Sequence, residues 1–141
     1  MAVPEVTINY LPVLISAILA FVVGGLWYSP ILFANIWVKG SNIDMKKMEN
    51  AKNKGMAKSY LITFLGSLLT AYILTHFVQY LSTETFLDGM QAGFYIWLGF
   101  VAPLSLEMVL WENKTLGYYF VNVGYHLVTL TLMAGILTVW N

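Results

Sequence analysis

The sequence predicts an all-α integral membrane protein, a four-helix bundle with an aromatic elbow after its first helix. Of its 141 residues, 59% are hydrophobic and only 10% are charged, whereas soluble domains carry about 25% charged residues. Four apolar segments each reach about 20 residues, the length of a helix that crosses the hydrocarbon core of a bilayer. Residues 1–141 therefore form a single transmembrane domain that has lipid as its solvent.

The four predicted spans follow one another with short connections, except for one longer polar loop. They cover about residues 9–28, 59–81, 89–110 and 116–140, and the Lys-rich loop covers 38–58. Small residues recur four apart in the first three spans, for example Ser16 and Ala20, or Gly89 and Gly93. This spacing lets helix backbones approach closely in lipid and predicts helix–helix packing.

The distribution of lysines predicts the orientation. Six of the seven Lys lie between Lys39 and Lys58, the seventh is Lys114 in the turn "WENKT", and there is no Arg. Both loops fall on the same side of a four-span protein, so the positive-inside rule places them in the cytoplasm and both termini outside. Anionic lipid headgroups are the expected partner of the Lys-rich loop; a docking site for a soluble partner is the alternative.

The aromatic elbow is the stretch from Trp27 to Trp37, which follows the first span. Tyr28 and the two tryptophans are residue types that prefer the headgroup level of a membrane. Pro30 disfavours a helix at Ser29, so the span is expected to end or bend there. Two interpretations stay open: an interfacial anchor lying flat on the membrane, or a re-entrant elbow that packs into the bundle. The candidate residues are Trp27, Tyr28, Ser29, Pro30, Phe33 and Trp37.

A polar ribbon on the fourth span predicts the most informative site. At about 100° per residue, Tyr119, Asn122 and His126 share one face of that helix. Glu107 on the third span lies at a similar depth, so we expect it to hydrogen-bond with Asn122 or Tyr119, since an unpaired carboxylate is costly there. Pro103 is expected to kink the third span near Glu107 and to free a carbonyl acceptor.

The ribbon admits two functions. The polar cluster of Glu107, Asn122, His126 and Tyr119 is either a structural clamp between the last two spans, or a proton or cation path or small-ligand site. His76 in the second span is a secondary candidate, and the simpler interpretation is that it reaches outward beside Gln79.

Other chemistry finds little support in the sequence. Without Cys there are no disulfides or thiolate ligands, and no H-E-x-x-H spacing or glycine-rich phosphate loop occurs. His76 and His126 lie at different predicted depths, which argues against haem. Seven Lys balance seven acids, so nucleic acid is not an expected partner. We expect no enzyme activity, no metal and no cofactor.

The elbow and the last two spans together resemble a small bacterial membrane-protein family, domain of unknown function 1761. "GLWYSPILFANIW" is similar to the family's "WYSP-LF---W" signature, and "WLGFVAPLSLE", "WENKT" and "YYFVNVGYHLV" are similar to its C-terminal half. Ala34 stands where the family often has Gly, and Lys114 where it often has Arg. The matching positions are Trp27, Tyr28, Ser29, Pro30, Phe33, Trp37, Trp97, Gly99, Phe100, Glu107, Asn122, Gly124 and Tyr125.

The resemblance implies a four-span protein of the bacterial inner membrane and attaches no activity to it. It also strengthens the interpretation of a re-entrant, packed elbow, so that this and the interfacial anchor stand as equal alternatives. The leading hypothesis is a non-enzymatic membrane protein that acts as a homo-oligomer or as an accessory subunit. The alternative is a small proton- or cation-coupled transporter or channel that uses Glu107 and His126.

Overall fold

A computed structural model describes residues 5–42 and 56–140, which fold into helices joined by short turns. The predicted Lys-rich loop, residues 38–58, falls mostly on residues 43–55, which lie outside the described residues. The helices are α1 (Tyr10–Trp27), α2 (Ala34–Ser41), α3 (Ala57–Tyr80), α4 (Phe86–Phe100), α5 (Glu107–Leu110) and α6 (Leu116–Val139), with a 3₁₀ turn at Leu104–Leu106.

Three of these helices, α1, α3 and α6, are long and apolar enough to cross a membrane. The third predicted span is broken: α4 and the segment Leu104–Leu110 meet at a bend of 42°, and they make a fourth span only if counted together. Pro103 explains the break, because it has no amide hydrogen for the helical bond to Gly99. The kink predicted at Pro103 is confirmed.

Helix ends follow local capping chemistry. The Asn9 side chain accepts a hydrogen bond from the Leu11 amide at the start of α1, at 3.3 Å. Thr85 and Asp88 form a reciprocal capping box at the start of α4, and the Thr115 hydroxyl accepts from the Tyr118 amide at the start of α6. These caps satisfy amides that have no partner within their own helix.

Helix α6 is the centre of the fold. It packs against α1, α2, α3 and α4, whereas α4 packs extensively on α6 alone among the described helices. The core forms where α1, the second half of α3 and the second half of α6 meet. Its buried members are Val13, Ala20, Ala71, Leu74, Val78, Leu130, Met133, Ala134 and Leu137.

Two glycines of α4 let its backbone lie directly on α6, as the small-residue spacing predicts. A Cβ atom at Gly93 would lie 2.6 Å from the Leu130 carbonyl oxygen, and one at Gly89 would overlap the Ala134 carbonyl. Because real Cβ atoms do not approach backbone oxygens this closely, only glycine fits at either position. These glycines are packing positions.

The two ends of the bundle differ in charge. At one end the Thr7 backbone pairs with the Gln79 side chain, and the nearby acids are Glu5, Glu84 and Asp88. At the other end, α2 meets the turn before α6, where the Lys114 ammonium donates to the Ser41 carbonyl. Lys39, Lys58 and Lys114 all lie at this second end, which we call the Lys-bearing end.

Candidate functional site

The aromatic elbow is a tight reversal of the chain between α1 and α2. The Ser29 hydroxyl donates to the Leu26 carbonyl at 2.6 Å, and the Ser29 carbonyl accepts from the Ala34 amide at 3.1 Å. The Phe33 amide donates to the Trp27 carbonyl, also at 3.1 Å. These bonds satisfy the backbone around Pro30 and return α2 towards the bundle.

Trp27 binds the backbone of α6. Its indole Nε1 donates to the Val121 carbonyl at 2.8 Å, and its ring packs on Phe33 with 4.7 Å between centroids. Gly124 makes room for it, because a Cβ there would lie 3.1 Å from the indole ring. Trp27, whose large apolar ring carries one polar N–H group, is thus fixed on α6 by packing and by a hydrogen bond.

Tyr28 joins the elbow to the polar ribbon. Its hydroxyl donates to the Asn122 side-chain oxygen at 2.6 Å, and Asn122 is only 9% exposed. The Asn122 amide nitrogen in turn points to the Met108 sulfur at 3.8 Å, a weak acceptor. Asn122 therefore connects three segments: the elbow, α6 and α5.

Helix α2 lies against the start of α6. Trp37 stacks on Tyr118 with 6.1 Å between ring centroids and 15° between planes. The Thr115 amide donates to the Gly40 carbonyl at 3.1 Å, and a Cβ at Gly40 would clash with Tyr118 at 2.6 Å. The elbow thus contacts α6 through its two ends, at Trp27 and Tyr28 and at Trp37.

Three further aromatic side chains, one on α4 and two on α6 itself, connect α6 to other segments. Trp97 Nε1 donates to the Val123 carbonyl at 2.7 Å, and the Tyr125 hydroxyl donates to the Ala20 carbonyl at 2.7 Å. The Tyr119 hydroxyl donates to the Ala102 carbonyl at 2.6 Å. The Ala102 carbonyl can accept this bond because the Leu106 amide donates to the Pro103 carbonyl in the 3₁₀ turn. It differs from the Gly99 carbonyl, which the missing amide of Pro103 leaves without its helical donor. We call the five donors Trp27, Tyr28, Trp97, Tyr119 and Tyr125 the α6 clasp.

Sequence reasoning missed the bonding roles of Trp97 and Tyr125, which it placed only in the family signature. A general rule points to both. An indole N–H or a phenol within an apolar segment needs an acceptor, and the backbone carbonyls of a neighbouring helix are available where small residues allow close approach. Gly24, which faces Tyr125, is such a signal.

Glu107 does not join the ribbon. Its side chain is exposed, and the Asn122 and Tyr119 groups expected to bind it are bonded to Tyr28 and Ala102 instead. The predicted hydrogen bond is therefore wrong. The depth and the helix face predicted for Glu107 assumed a straight third span. The 42° bend and the 3₁₀ turn instead bring the neighbouring Met108 against α6.

Neither histidine side chain takes part in the hydrogen bonds of the clasp donors. His126 is exposed on α6, with its ring 5.2 Å from that of Tyr125. His76 Nδ1 lies 2.9 Å from the Tyr72 carbonyl oxygen, between the rings of Tyr72 and Tyr80. Among residues 5–42 and 56–140, no group of three His, Cys, Asp or Glu side chains is arranged to hold a metal ion.

Fold and site together define a class: a helical protein with membrane-length apolar helices whose aromatic elbow binds a central helix. The profile of the family described as "Protein of unknown function (DUF1761)" matches residues 11–138. The chain belongs to this family, as the elbow and C-terminal motifs predicted. No curated protein and no solved structure matches it.

Proposed function

We propose that this member of the family is a non-catalytic integral membrane protein that works as a subunit, with copies of itself or with another membrane protein. The hydrogen bond between Tyr28 and Asn122 carries this proposal. It uses a buried polar side chain of the predicted site, Asn122, to fix the elbow on α6. In such an arrangement the polar ribbon holds helices together.

The remaining clasp donors support the same conclusion. Trp27, Trp97 and Tyr125 each donate to a backbone carbonyl of a neighbouring helix. A donor committed to a structural acceptor within an apolar environment is costly to release. The aromatic residues of the family signature are therefore best explained as structural residues that hold the helices in a fixed arrangement at the Lys-bearing end.

The apolar surface supports a role within an assembly. Only 22% of the most apolar window of α3 is buried within the chain, against 50% for α6. In a bilayer this surface meets lipid or another helix. We place the protein in a bacterial inner membrane with the Lys-bearing end in the cytoplasm and the termini outside, following the positive-inside rule; the elbow then lies re-entrant at the cytoplasmic interface.

Native mass spectrometry from lipid nanodiscs tests this proposal. After mild extraction we expect a defined oligomer, or one copy bound to a different membrane protein. A lone chain under the same conditions would contradict the subunit role. Tyr28→Phe serves as the structural probe, because loss of its bond to Asn122 should lower the subunit count or partner yield if the clasp shapes the assembling surface.

The alternative, a small proton- or cation-coupled transporter, is favoured by one observation: His126 is an exposed imidazole on a membrane-length helix, without a hydrogen bond to a described residue. Vesicles loaded with a pH-sensitive dye distinguish the two. Transport predicts a proton or cation leak that Glu107→Gln and His126→Gln abolish. The subunit proposal predicts no leak above that of protein-free vesicles.

A further inference from the structure

A cavity opens at the end of the bundle opposite the Lys-bearing end. It has a volume of about 850 Å³ and lies between the start of α1, the end of α3 with the turn that follows it, and the end of α6. None of the described residues that line it is charged. Because a charge buried without a counter-ion is costly, the cavity favours an uncharged molecule. The polar members of its lining are Thr7, Asn9, Tyr10, Gln79, Thr83 and Thr138.

One wall of the cavity is the segment before α1, which is bonded to the end of α3. The Thr7 amide donates to Gln79 Oε1 at 3.1 Å, and Gln79 Nε2 donates to the Thr7 carbonyl at 2.7 Å. The base of the cavity is apolar, since Val78 and Leu137 line it and are both members of the core. The cavity therefore has fixed walls and places its polar groups above an apolar base.

Thr83 and Thr138 bring a pair of hydroxyl groups to the lining. Their Oγ1 atoms lie 2.8 Å apart. Thr83 Oγ1 also lies 3.0 Å from the Val78 carbonyl oxygen, and Thr138 Oγ1 lies 2.8 Å from the Ala134 carbonyl oxygen. A hydroxyl has one proton and two lone pairs, so both protons are used within these contacts. The pair therefore offers lone pairs to a bound molecule, which has to donate hydrogen bonds.

Tyr10 adds an aromatic ring to the same lining, and its side chain is 68% exposed. Hydroxyl and amide groups beside an exposed aromatic ring are the combination with which proteins bind sugars. The hydroxyls of a sugar both donate and accept hydrogen bonds, and its C–H face packs on the ring. Leu11 also lines the cavity and is exposed on α1, so an apolar chain attached to the sugar can continue onto the lipid-facing surface of that helix.

We propose that this cavity binds an uncharged sugar, either free or as the headgroup of a glycolipid. The sugar hydroxyls donate to Thr83 and Thr138 and accept from the second N–H of Gln79 Nε2, and the sugar ring lies on Tyr10. The cavity is at the ends of the membrane-length helices α1 and α6, which is the depth of lipid headgroups. The glycolipid form rests on the proposed membrane location, and neither form rests on the number of subunits.

Two probes measure this binding in nanodiscs of zwitterionic lipid. Native mass spectrometry compares retention of monoglucosyl diacylglycerol with that of diacylglycerol, which has the same tails and no sugar. Saturation-transfer difference NMR detects free methyl β-glucoside, with protein-free nanodiscs as the blank. We expect the glycolipid to be retained in preference to diacylglycerol, and saturation transfer to methyl β-glucoside shows in addition that the sugar binds without a tail.

The same preparation keeps this proposal separate from the proposed function. Co-migration of the chain with the nanodiscs tests the membrane location, and the number of protein copies in the mass spectra tests the subunit role. Sugar binding by a lone chain would support the cavity site while contradicting the subunit role.

Three variants test the lining. Thr138→Val keeps the size of the side chain and removes a hydroxyl, so affinity should fall about two- to tenfold. Tyr10→Leu removes the aromatic ring and should weaken binding by a similar factor. Thr7→Trp places a large ring in the cavity and should abolish binding, while the bonds to Gln79 are kept because they come from the Thr7 backbone. Thr7 and Tyr10 are exposed, so these two variants test the site even if Thr138→Val fails to fold.

Two matched controls lie outside the cavity. Thr63→Val removes a hydroxyl on the exposed surface of α3, where it donates to the Ser59 carbonyl. Tyr95→Leu removes a ring that is 61% exposed on α4. Both variants should bind the probes as the unmodified protein does.

Two results would overturn the proposal. The first is retention of the glycolipid no greater than that of diacylglycerol, together with no saturation transfer to methyl β-glucoside. The second is equal binding by the unmodified protein and by Thr7→Trp, because the sugar would then lie outside this cavity. Variants are compared at matched unfolding midpoints.

Discussion

The two halves of α6 are held by different kinds of interaction. In the half away from the Lys-bearing end, α4 lies on α6 through Gly89 and Gly93, and the core is apolar. In the half at the Lys-bearing end, α6 is held mainly by hydrogen bonds. Trp27 and Trp97 donate to its backbone carbonyls, and Tyr28 donates to Asn122. Close packing of backbones needs continuous helices, and in this half the third predicted span is broken.

In the half of α6 at the Lys-bearing end, hydrogen bonds from aromatic side chains therefore take the place of close backbone packing. Indole and phenol groups extend far enough to bridge a wider gap and end in a polar atom that needs a partner. The four predictions below test this division, from the largest expected effect to the smallest.

The largest effect is expected from Gly93→Val. The new side chain would meet the Leu130 carbonyl, and such overpacking costs about 3 kcal/mol of unfolding free energy at the upper end of its usual range. Unfolding in mixed detergent micelles, followed by circular dichroism, measures it. Gly66→Val is the matched control, since a Cβ at Gly66 meets nothing within 4 Å; equal losses in both variants would show that packing at Gly93 is not special.

The next effect concerns the bond between Tyr28 and Asn122. Asn122→Leu should cost about 1–3 kcal/mol, because the partly buried Tyr28 hydroxyl loses its acceptor. Tyr28→Phe should cost less, about 1 kcal/mol. The double variant closes a thermodynamic cycle, in which a coupling of at least about 0.5 kcal/mol is expected for bonded neighbours; strict additivity would refute the bond.

A smaller effect is expected for Trp97→Phe. It removes the hydrogen bond to the Val123 carbonyl and keeps an aromatic ring, so the loss should be about 1 kcal/mol. Trp111→Phe is the control, because Trp111 is 83% exposed and should change stability by less than about 0.5 kcal/mol. If the two variants lost the same stability, Trp97 would not act through its indole N–H.

Glu107→Gln should have the smallest effect on stability. Its side chain is exposed, so a change within about 0.5 kcal/mol is expected. The same unfolding measurement tests this. A loss as large as that of Asn122→Leu would mean that Glu107 bonds within the ribbon after all, as a straight third span would require.

The spans could be predicted because each depends on composition over a long window. Tyr10–Trp27 and Leu116–Val139 agree closely with the predicted segments, and the break at Pro103 follows from a single missing amide. The elbow was harder, since an interfacial anchor and a packed turn use the same residue types. The contact between Trp37 and Tyr118 is a tertiary one that neither residue type predicts.

The error at Glu107 has a different cause. Assigning a face at 100° per residue requires an unbroken helix, but the chain between Val101 and Leu106 passes through turns and a 3₁₀ segment. After such a break, the 100° rule no longer relates the helix face of a later residue to that of the residues before the break. His126 and Asn122 share a face by the same rule on the unbroken α6, yet one is exposed and the other buried. Tyr28 of the elbow covers Asn122, and the sequence of α6 does not show this contact.

The central position of α6 has a consequence for biosynthesis. It follows in the chain every helix that it packs against, so during translation it leaves the ribosome after all of them. Helix α4 has no extensive packing partner until then, and Trp27, Tyr28 and Trp97 have no acceptors. The nascent chain therefore keeps these aromatic donors without acceptors, and the fold closes in one late step when α6 is complete.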